Sequence, residues 1–541
     1  MSGQDALYDL IVIGGGINGA GIARDAAERG LSVFLAERND FGSGTTAHST
    51  RLIHGGLRYL EYLEFGLVRE SLRERETLLR IAPHLVAPMA FAIPIYRWSR
   101  YRFNKVRAGL ILYDALAAGK SLPSHRALSR KSFLEIEPAI EPEGLQGGFL
   151  YYDCQVAYPE RLCLENILSA REAGARACSH TEVVSFLKKG HQVEGVRIRN
   201  RLTGHEESVY GRLVINAAGP WLDAVCDLLG PPSKRKLGGT KGSHLVVRPR
   251  EGLSRAPLYS PARSDGRPFF ILPWRELLLI GTTDIPFNGD LDTLQASDEE
   301  IEYLIAETNA LLPCAHLTRE DILYTFSGVR PLPPGEVDAA KITRRHFLYD
   351  HEKEEGICGL ISIIGGKLTT YRSLAEEAVD LICRKLARPA PECTTHTRPL
   401  YGSAVGRWEH FPIHHTGTAA RNYDVPPETV RHLISLYGSR FERVLSFTKE
   451  SPDLKAPLAP DQPDIGAQAA YAVQYEMAET LEDFLLRRTG IGLGADCGLS
   501  TAEPAARIMA RYLHWDEGRI QHELAEYKRV IARRRISDFR F

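Results

Sequence analysis

Between Asp9 and Glu37 the chain reads DLIVIGGGINGAGIARDAAERGLSVFLAE, and this stretch admits few folds. Leu10 to Ile13 form an apolar run with the character of a buried strand. Gly14, Gly16 and Gly19 then supply Gly-x-Gly-x-x-Gly where that strand must turn into a helix, with Gly15, Ile17 and Asn18 completing the turn. In a βαβ unit the first glycine permits the tight turn, the second lets a pyrophosphate approach the main chain, and the third allows close helix–strand packing. Free N–H groups at the helix start face the anion. Ala20, Ala23, Ala26 and Ala27 keep the helix slim, Gly30 ends it, and Ser32 to Leu35 form a second strand. Glu37, with Arg38 beside it, stands where a carboxylate accepts hydrogen bonds from a ribose diol. The three glycines alone also suit a plain turn between ordinary elements. Strand, helix, second strand and terminal acid together favour a dinucleotide cradle.

A chain of 541 residues exceeds what one hydrophobic core usually holds, so more than one folding unit is expected. Hydrophobic residues make up 44% and charged residues 25%, as in an ordinary globular protein rather than a disordered one. The absence of any run of about eighteen apolar residues predicts no transmembrane helix. The N-terminus lacks the basic, apolar, small-residue order of a secretion signal, which predicts a cytoplasmic chain. Nine scattered cysteines without a C-x-x-C pair point to buried reduced thiols, and neither a metal site nor a disulfide framework is expected. A formal net charge of −1 leaves any affinity for lipid or nucleic acid to a local patch.

After Glu37, the segment NDFGSGTTAHSTRLIHGGLRYL suits a loop wrapped round a ligand. Hydroxyls and amides of Thr45, Thr46 and Ser49 suit phosphate oxygens, although capping or turn chemistry competes for them. Leu52, His54, Gly55 and Gly56 suit a flat ring, and Arg58 and Tyr59 lie within reach of a substrate. With TRLIHGGLRYLEYLEFGLVRESLRERETLLRIAPHL following the glycine fingerprint, the chain resembles the FAD-dependent glycerol-3-phosphate dehydrogenases, membrane-associated enzymes that reduce quinone. Later blocks carry the resemblance to about residue 390. It implies FAD rather than a nicotinamide. It also implies an α/β fold: a Rossmann-like FAD-binding domain of the glutathione-reductase/D-amino-acid-oxidase type, an antiparallel-sheet substrate domain and a C-terminal helical cap. The expected partition interleaves FAD-binding parts (about 1–85, 150–235 and 335–390) with substrate parts (about 86–149 and 236–334) and assigns 391–541 to the cap.

From Glu61 to Pro83 the pattern is that of an amphipathic scaffold helix. Next, Arg97, Arg100, Arg102, Lys105 and Arg107 mix with Trp98, Tyr101, Phe103 and the apolar Leu110, Ile111 and Leu112. Such a stretch, 97–112, suits either a lipid interface or an ordinary solvated helix. The family's delivery of electrons to quinone tips the expectation to the inner-membrane surface, with the protein peripheral on it. Nucleic acid is a poorer use, because no base-reading module accompanies the patch.

A strand and helix entry at Gly147 to Leu162 and an antiparallel meander from Cys178 to Leu213 lead into LVINAAGPW, where Ala218 and Gly219 leave little side chain on a cofactor-facing surface. From Leu237 to Pro333 a substrate-side sheet is expected. KGSH places Lys241 to His244 just before a strand, Thr282, Thr283 and Asp284 end another, and Pro331 holds Arg330 extended. Arg330 and Arg58 make a candidate phosphate clamp, since guanidinium groups bind phosphate bidentately; a surface ion pair is the other use of either. Thr283 is expected to line the same pocket. In ISIIGGKLTTYRSL, Gly366, Lys367, Leu368 and Thr369 lead into a helix whose N-terminus, with Lys367, suits an anion at the flavin pyrimidine edge. A linker at RPAPECTTHTRPL precedes helical stretches at Glu428–Tyr437, Gln474–Arg488 and Ala502–Tyr512, with Arg487 and Arg488 placed on a surface of interaction.

The resemblance implies oxidation of glycerol 3-phosphate, with Arg330, Arg58 and Tyr59 around the substrate and a base taking the C2 hydroxyl proton. His244 is the candidate base, His54 its rival, and a structural role competes for both. A peroxide-forming glycerol-3-phosphate oxidase, a related amine or amino-acid oxidase and a non-catalytic FAD protein are the alternatives. Homodimer formation is left open.

Overall fold

The structure, a computed structural model, describes residues 7–230, 234–254, 256–334, 345–389, 391–403, 406–460 and 462–536. Leu7–Ile13 is continuously apolar where it matters because both of its faces are covered: Leu10, Ile11 and Val12 are wholly buried. It pairs in parallel with Val33–Ala36 on one side and Glu206–Asn216 on the other. Leu360–Ile364 and Arg176–Cys178 extend the parallel set, and Phe347–Asp350 closes one edge antiparallel. The meander Thr181–Lys189, Gln192–Asn200 and Glu206–Asn216 feeds this sheet. Helix Ile17–Glu28 lies on it and packs against Pro159–Glu172 and Tyr371–Lys385; its Gly21 leaves room for the Tyr371 ring.

A second sheet of ten strands is antiparallel apart from one contact, where Leu258 pairs in parallel with Ala92. It contains Val86–Tyr96, Leu145–Val156, Gly238–Val247, Pro268–Trp274, Leu277–Gly281 and Ile322–Leu332, and it also takes in the short Leu52–Ile53. Lys241 to His244, expected ahead of a strand, are inside one. Beneath the sheet runs helix Asp298–Leu311, opened by a capping box between Ser297 and Glu300. The expected return to the FAD-binding part at about 335 and the linker residue 390 lie outside the described residues.

The C-terminal region is helical, with Pro427–Tyr437 and Ala502–Leu513 at two of the expected places. The third expected stretch, Gln474–Arg488, is not one helix. Helix Gly466–Glu476 ends where Met477 takes a left-handed conformation, and the chain resumes as a π-helical turn, Asp483–Arg488. This region shares one hydrophobic core with the second sheet: Trp274, Tyr324 and Phe326 pack with Leu433, Tyr437 and Phe484. None of the nine cysteines is in a disulfide; six are buried, Cys178 and Cys358 are half-buried, and Cys314 is exposed. Among the described residues no helix is long and apolar enough to cross a membrane, and no metal-binding cluster occurs.

Candidate active site

The glycines of the turn differ in what surrounds them. A side chain at Gly14, where φ is +102°, would lie 2.7 Å from the Ala217 carbonyl oxygen, and one at Gly19 would overlap the Gly14 carbonyl oxygen. Both are fixed by the protein's own packing. At Gly16 the nearest atom is Thr46 Oγ1 at 3.6 Å, so the protein itself leaves that side open. Glu37 Oε2 accepts from the Gly15 N–H (2.7 Å) and Oε1 from Asn39 N–H (2.8 Å), and burial pushes the carboxyl above its usual range. The Ile17 N–H donates to Thr46 Oγ1 (3.1 Å), Ser49 Oγ donates to the Thr46 carbonyl, and Thr45 Oγ1 donates to the Val329 carbonyl (2.8 Å). These hydroxyls therefore hold the loop to the helix start and to the second sheet. Arg38 pairs with Asp292 and stacks on Trp221, 4.7 Å from the ring centre.

The start of helix Tyr371–Lys385 returns to the same place. Asn18 Nδ2 donates to the Gly365 carbonyl, and a side chain at Gly366 would meet Asn18 Nδ2 at 2.8 Å. His54 N–H donates to Thr369 Oγ1 (3.1 Å), which ties the HGG segment to Leu368 and Thr369. Gly55 is hemmed in by protein rather than open: its N–H donates to Asp153, and a side chain there would strike Leu72 and the Tyr113 hydroxyl. Leu52 is buried in its short strand, and Ala218 N–H is held by Asn216 Oδ1, so that Gly219, φ +56°, has nothing within 4 Å of a would-be side chain. Lys367 Nζ donates to Ser71 Oγ (3.2 Å) and lies 3.8 Å from the centre of the Tyr59 ring.

Beyond this turn, Arg330 crosses its neighbouring strand over Gly242, where any side chain would collide with the guanidinium and with Thr282 Oγ1. Arg330 Nη1 pairs with Asp284 (3.1 Å), and Nη2 donates to Thr282 Oγ1 and the Thr283 carbonyl. Burial lowers the Arg58 pKa, but hydrogen bonding to Tyr62 and the charge of Asp284 raise it overall. His244 is 2% exposed, stacks on Phe326 at 4.7 Å and has Nε2 3.0 Å from Thr50 Oγ1. Burial first, then the charge of Arg330, holds it well below the usual imidazole range, so it is neutral. Thr283, expected against substrate, is drawn elsewhere: its hydroxyl donates to Glu300 (2.6 Å) and accepts from Ser243 N–H (2.8 Å).

Two buried polar atoms among these residues, Asn18 Oδ1 and His244 Nδ1, have no hydrogen-bond partner in the protein. Open space at Gly16, a carboxylate at the end of the second strand and the orphaned Asn18 Oδ1 at the start of the helix fit a bound dinucleotide.

The family described as FAD dependent oxidoreductase matches residues 9–372, and the one described as the C-terminal domain of alpha-glycerophosphate oxidase matches residues 393–520. A glycerol-3-phosphate dehydrogenase of Synechocystis sp. is 47% identical, covering 99% of this chain and 98% of its own length. The chain belongs to the FAD-dependent glycerol-3-phosphate dehydrogenase family. FAD is its cofactor. A glycerol-3-phosphate dehydrogenase of Mycobacterium leprae is 37% identical over 96% of this chain and 87% of its own. The structure of the glycerol-3-phosphate dehydrogenase of Bacillus halodurans, complexed with FAD, superposes with a TM-score of 0.82 at 31% identity, covering 99% and 97% of the two chains.

Sequence reasoning on this dehydrogenase-family chain missed three contributors. Asp284 ends a strand with nothing in the sequence to pair it with Arg330, Thr50 precedes Gly55 and Gly56 with nothing to bring it to His244, and Glu300 stands in Ser297–Glu300, whose Ser-Asp-Glu-Glu is a capping signal that does not reveal its contact with Ser243.

Proposed function

We propose that this chain oxidises sn-glycerol 3-phosphate to dihydroxyacetone phosphate and passes the electrons to a membrane quinone while lying on the cytoplasmic face of the inner membrane. The observation that carries the substrate reading is Arg330, paired with Asp284 (3.1 Å) and one residue beyond Val329, whose carbonyl accepts from Thr45 in the dinucleotide loop; Arg58, further along the same loop segment, is the second cation of the reading. Planar guanidiniums bind a phosphate dianion; a carboxylate substrate would need only one of them. Tyr59 lines the pocket, with Lys367 Nζ held over its ring as a further fixed positive charge. When bound, FAD supplies the two-electron acceptor for the hydride of C2. His244, neutral because it is buried, takes the C2 hydroxyl proton, and Thr50 Oγ1 holds one of its ring nitrogens while the other is left for that task. The glycine turn, Glu37 and the segment Gly366–Thr369 hold the cofactor.

Support for the membrane comes from an apolar surface that no other described element covers. Leu63, Phe65, Trp98, Ile111 and Leu112 are exposed, Ile111 at 54% and Leu63 at 71%, and Arg97, Arg100, Arg102, Lys105 and Arg107 are exposed around them. Helix Phe103–Leu116 packs on the segment Leu57–Tyr62, so the apolar side chains share one side of the protein. Cations round an apolar face match an anionic lipid surface. Oxygen is the rival acceptor, favoured by the alpha-glycerophosphate oxidase description of the matching C-terminal family.

The test is to mix the yellow protein with glycerol 3-phosphate under nitrogen and follow the flavin absorbance. Bleaching by glycerol 3-phosphate and not by glycine or proline is expected, followed by fast recolouring with quinone in anionic vesicles. No bleaching refutes the substrate; recolouring only by oxygen, with peroxide formed, refutes the acceptor.

A further inference from the structure

Arg487 and Arg488, expected on a surface, are 5% and 0% exposed. They sit at the end of the π-helical turn Asp483–Arg488, and both reach a single carboxylate, that of Asp40, which is also wholly buried. Arg488 forks onto it, Nη1 to Oδ2 at 2.6 Å and Nη2 to Oδ1 at 2.7 Å, while Arg487 donates through Nε. Adjacent residues of an α-helix point about 100° apart, and the wider turn turns both side chains towards one partner. Each arginine is itself braced. Arg487 pairs with Asp483 (2.9 Å), and Arg488 Nε donates to the Glu476 carbonyl (2.7 Å). Asp483 in turn lies 2.9 Å from His180 Nε2 and accepts from the Glu479 and Thr480 N–H groups.

Asp40 belongs to the segment that shapes the cofactor cradle. Three residues before it, Glu37 holds the Gly15 N–H; just after it, Phe41 packs against Gly15 and Gly42 N–H donates to the Gly15 carbonyl (3.0 Å). The other side of the segment is tied to the meander, since Thr181 N–H donates to the Glu37 carbonyl (2.7 Å) and His180 N–H to the Asn39 carbonyl (2.6 Å). The stretch from Glu37 to Gly42 is therefore gripped from both sides: by the meander on one, and by two arginines of the C-terminal region on the other.

We propose that Arg487 and Arg488 are positioning residues for the adenosine half of FAD, holding the Glu37–Gly42 segment in the shape that binds it through the Asp40 carboxylate. The C-terminal region is then part of the cofactor site without touching the cofactor. This holds whichever electron acceptor the enzyme uses. FAD affinity is measured by fluorescence titration of apoprotein, alongside thermal unfolding of the apo form. Arg488→Lys keeps the charge but loses the fork, and Arg487→Gln removes the second donor. Both are expected to weaken FAD binding at least tenfold. Asp464→Asn, which breaks the pair with His432 (2.8 Å) inside the same region, serves as the control and is expected to lower apo stability with FAD affinity within twofold of wild type. If Arg488→Lys does not fold, Arg487→Gln decides. FAD affinity within twofold of wild type in a folded arginine variant, or an equal loss in Asp464→Asn, would overturn the proposal.

Discussion

Alanine at Gly16 and alanine at Gly19 differ by one methyl position, and they separate cofactor binding from folding. At Gly19 the new methyl overlaps the Gly14 carbonyl oxygen, so the strand–helix turn has to open. Overpacking of this kind costs about 1–3 kcal/mol and sometimes more, and it is paid by the apoprotein. At Gly16 the methyl meets only Thr46 Oγ1 at 3.6 Å, and φ of −72° with ψ of 177° suits alanine. There the poorer helix cap, about 1 kcal/mol, is offset by a stiffer unfolded chain worth about 0.4–1 kcal/mol. The apoprotein of Gly16→Ala should unfold within about 2 °C of wild type. FAD has to approach that methyl, and about 1–3 kcal/mol of crowding corresponds to roughly 5–150-fold weaker binding. Thermal unfolding of both apoproteins and flavin titration supply the two readouts. A Gly16→Ala protein that binds FAD as wild type does, or unfolds as early as Gly19→Ala, refutes the assignment of the open side to the dinucleotide.

Arg330→Ala should retain its flavin and lose about 10–150-fold in kcat/KM for glycerol 3-phosphate, the worth of a charged hydrogen-bonded contact, and Gly242→Ala should mimic it by displacing the guanidinium. His244→Gln should cut kcat by about 10² to 10⁴, and because the wild-type imidazole is already neutral, kcat/KM should show no inflection near pH 6.5 that the variant removes. Burial would lower the His180 pKa, but the Asp483 carboxylate lifts it to about 9, above an unfolded value near 6.5. Its contribution, on the order of 3 kcal/mol at most, is complete below about pH 6.5 and is lost as pH rises through about 9. Denaturant unfolding at the two ends of that window should fall more steeply for wild type than for His180→Gln. Ile111→Asp with Leu112→Asp should abolish sedimentation with anionic vesicles while leaving dye-linked activity intact.

The βαβ opening was legible because glycine spacing, slim alanine face and terminal acid all report on one local unit. The meander from Cys178 to Leu213 and the helix entry between Gly147 and Leu162 were local in the same way. What escaped the sequence depends on partners far along the chain. Arg487 and Arg488 looked like surface charges because Asp40, more than four hundred positions away, supplies the counter-charge that lets them be buried. Thr283 suits a substrate pocket until Glu300, which accepts its hydrogen bond, is brought under the sheet by a helix whose capping signal does not say where it packs. Gly242 carried no signal of its own, since its lack of a side chain matters only once Arg330 lies across it. The break at Met477 was hidden by helical periodicity that continues through a left-handed residue.

Because Trp274, Tyr324 and Phe326 share an interior with Leu433, Tyr437 and Phe484, the last third of this polypeptide is no detachable accessory. A fragment trimmed near the family boundary would expose that aromatic seam to water and stick to its own copies. Chimeras between relatives should therefore exchange the helical region and its facing strands as one inherited block.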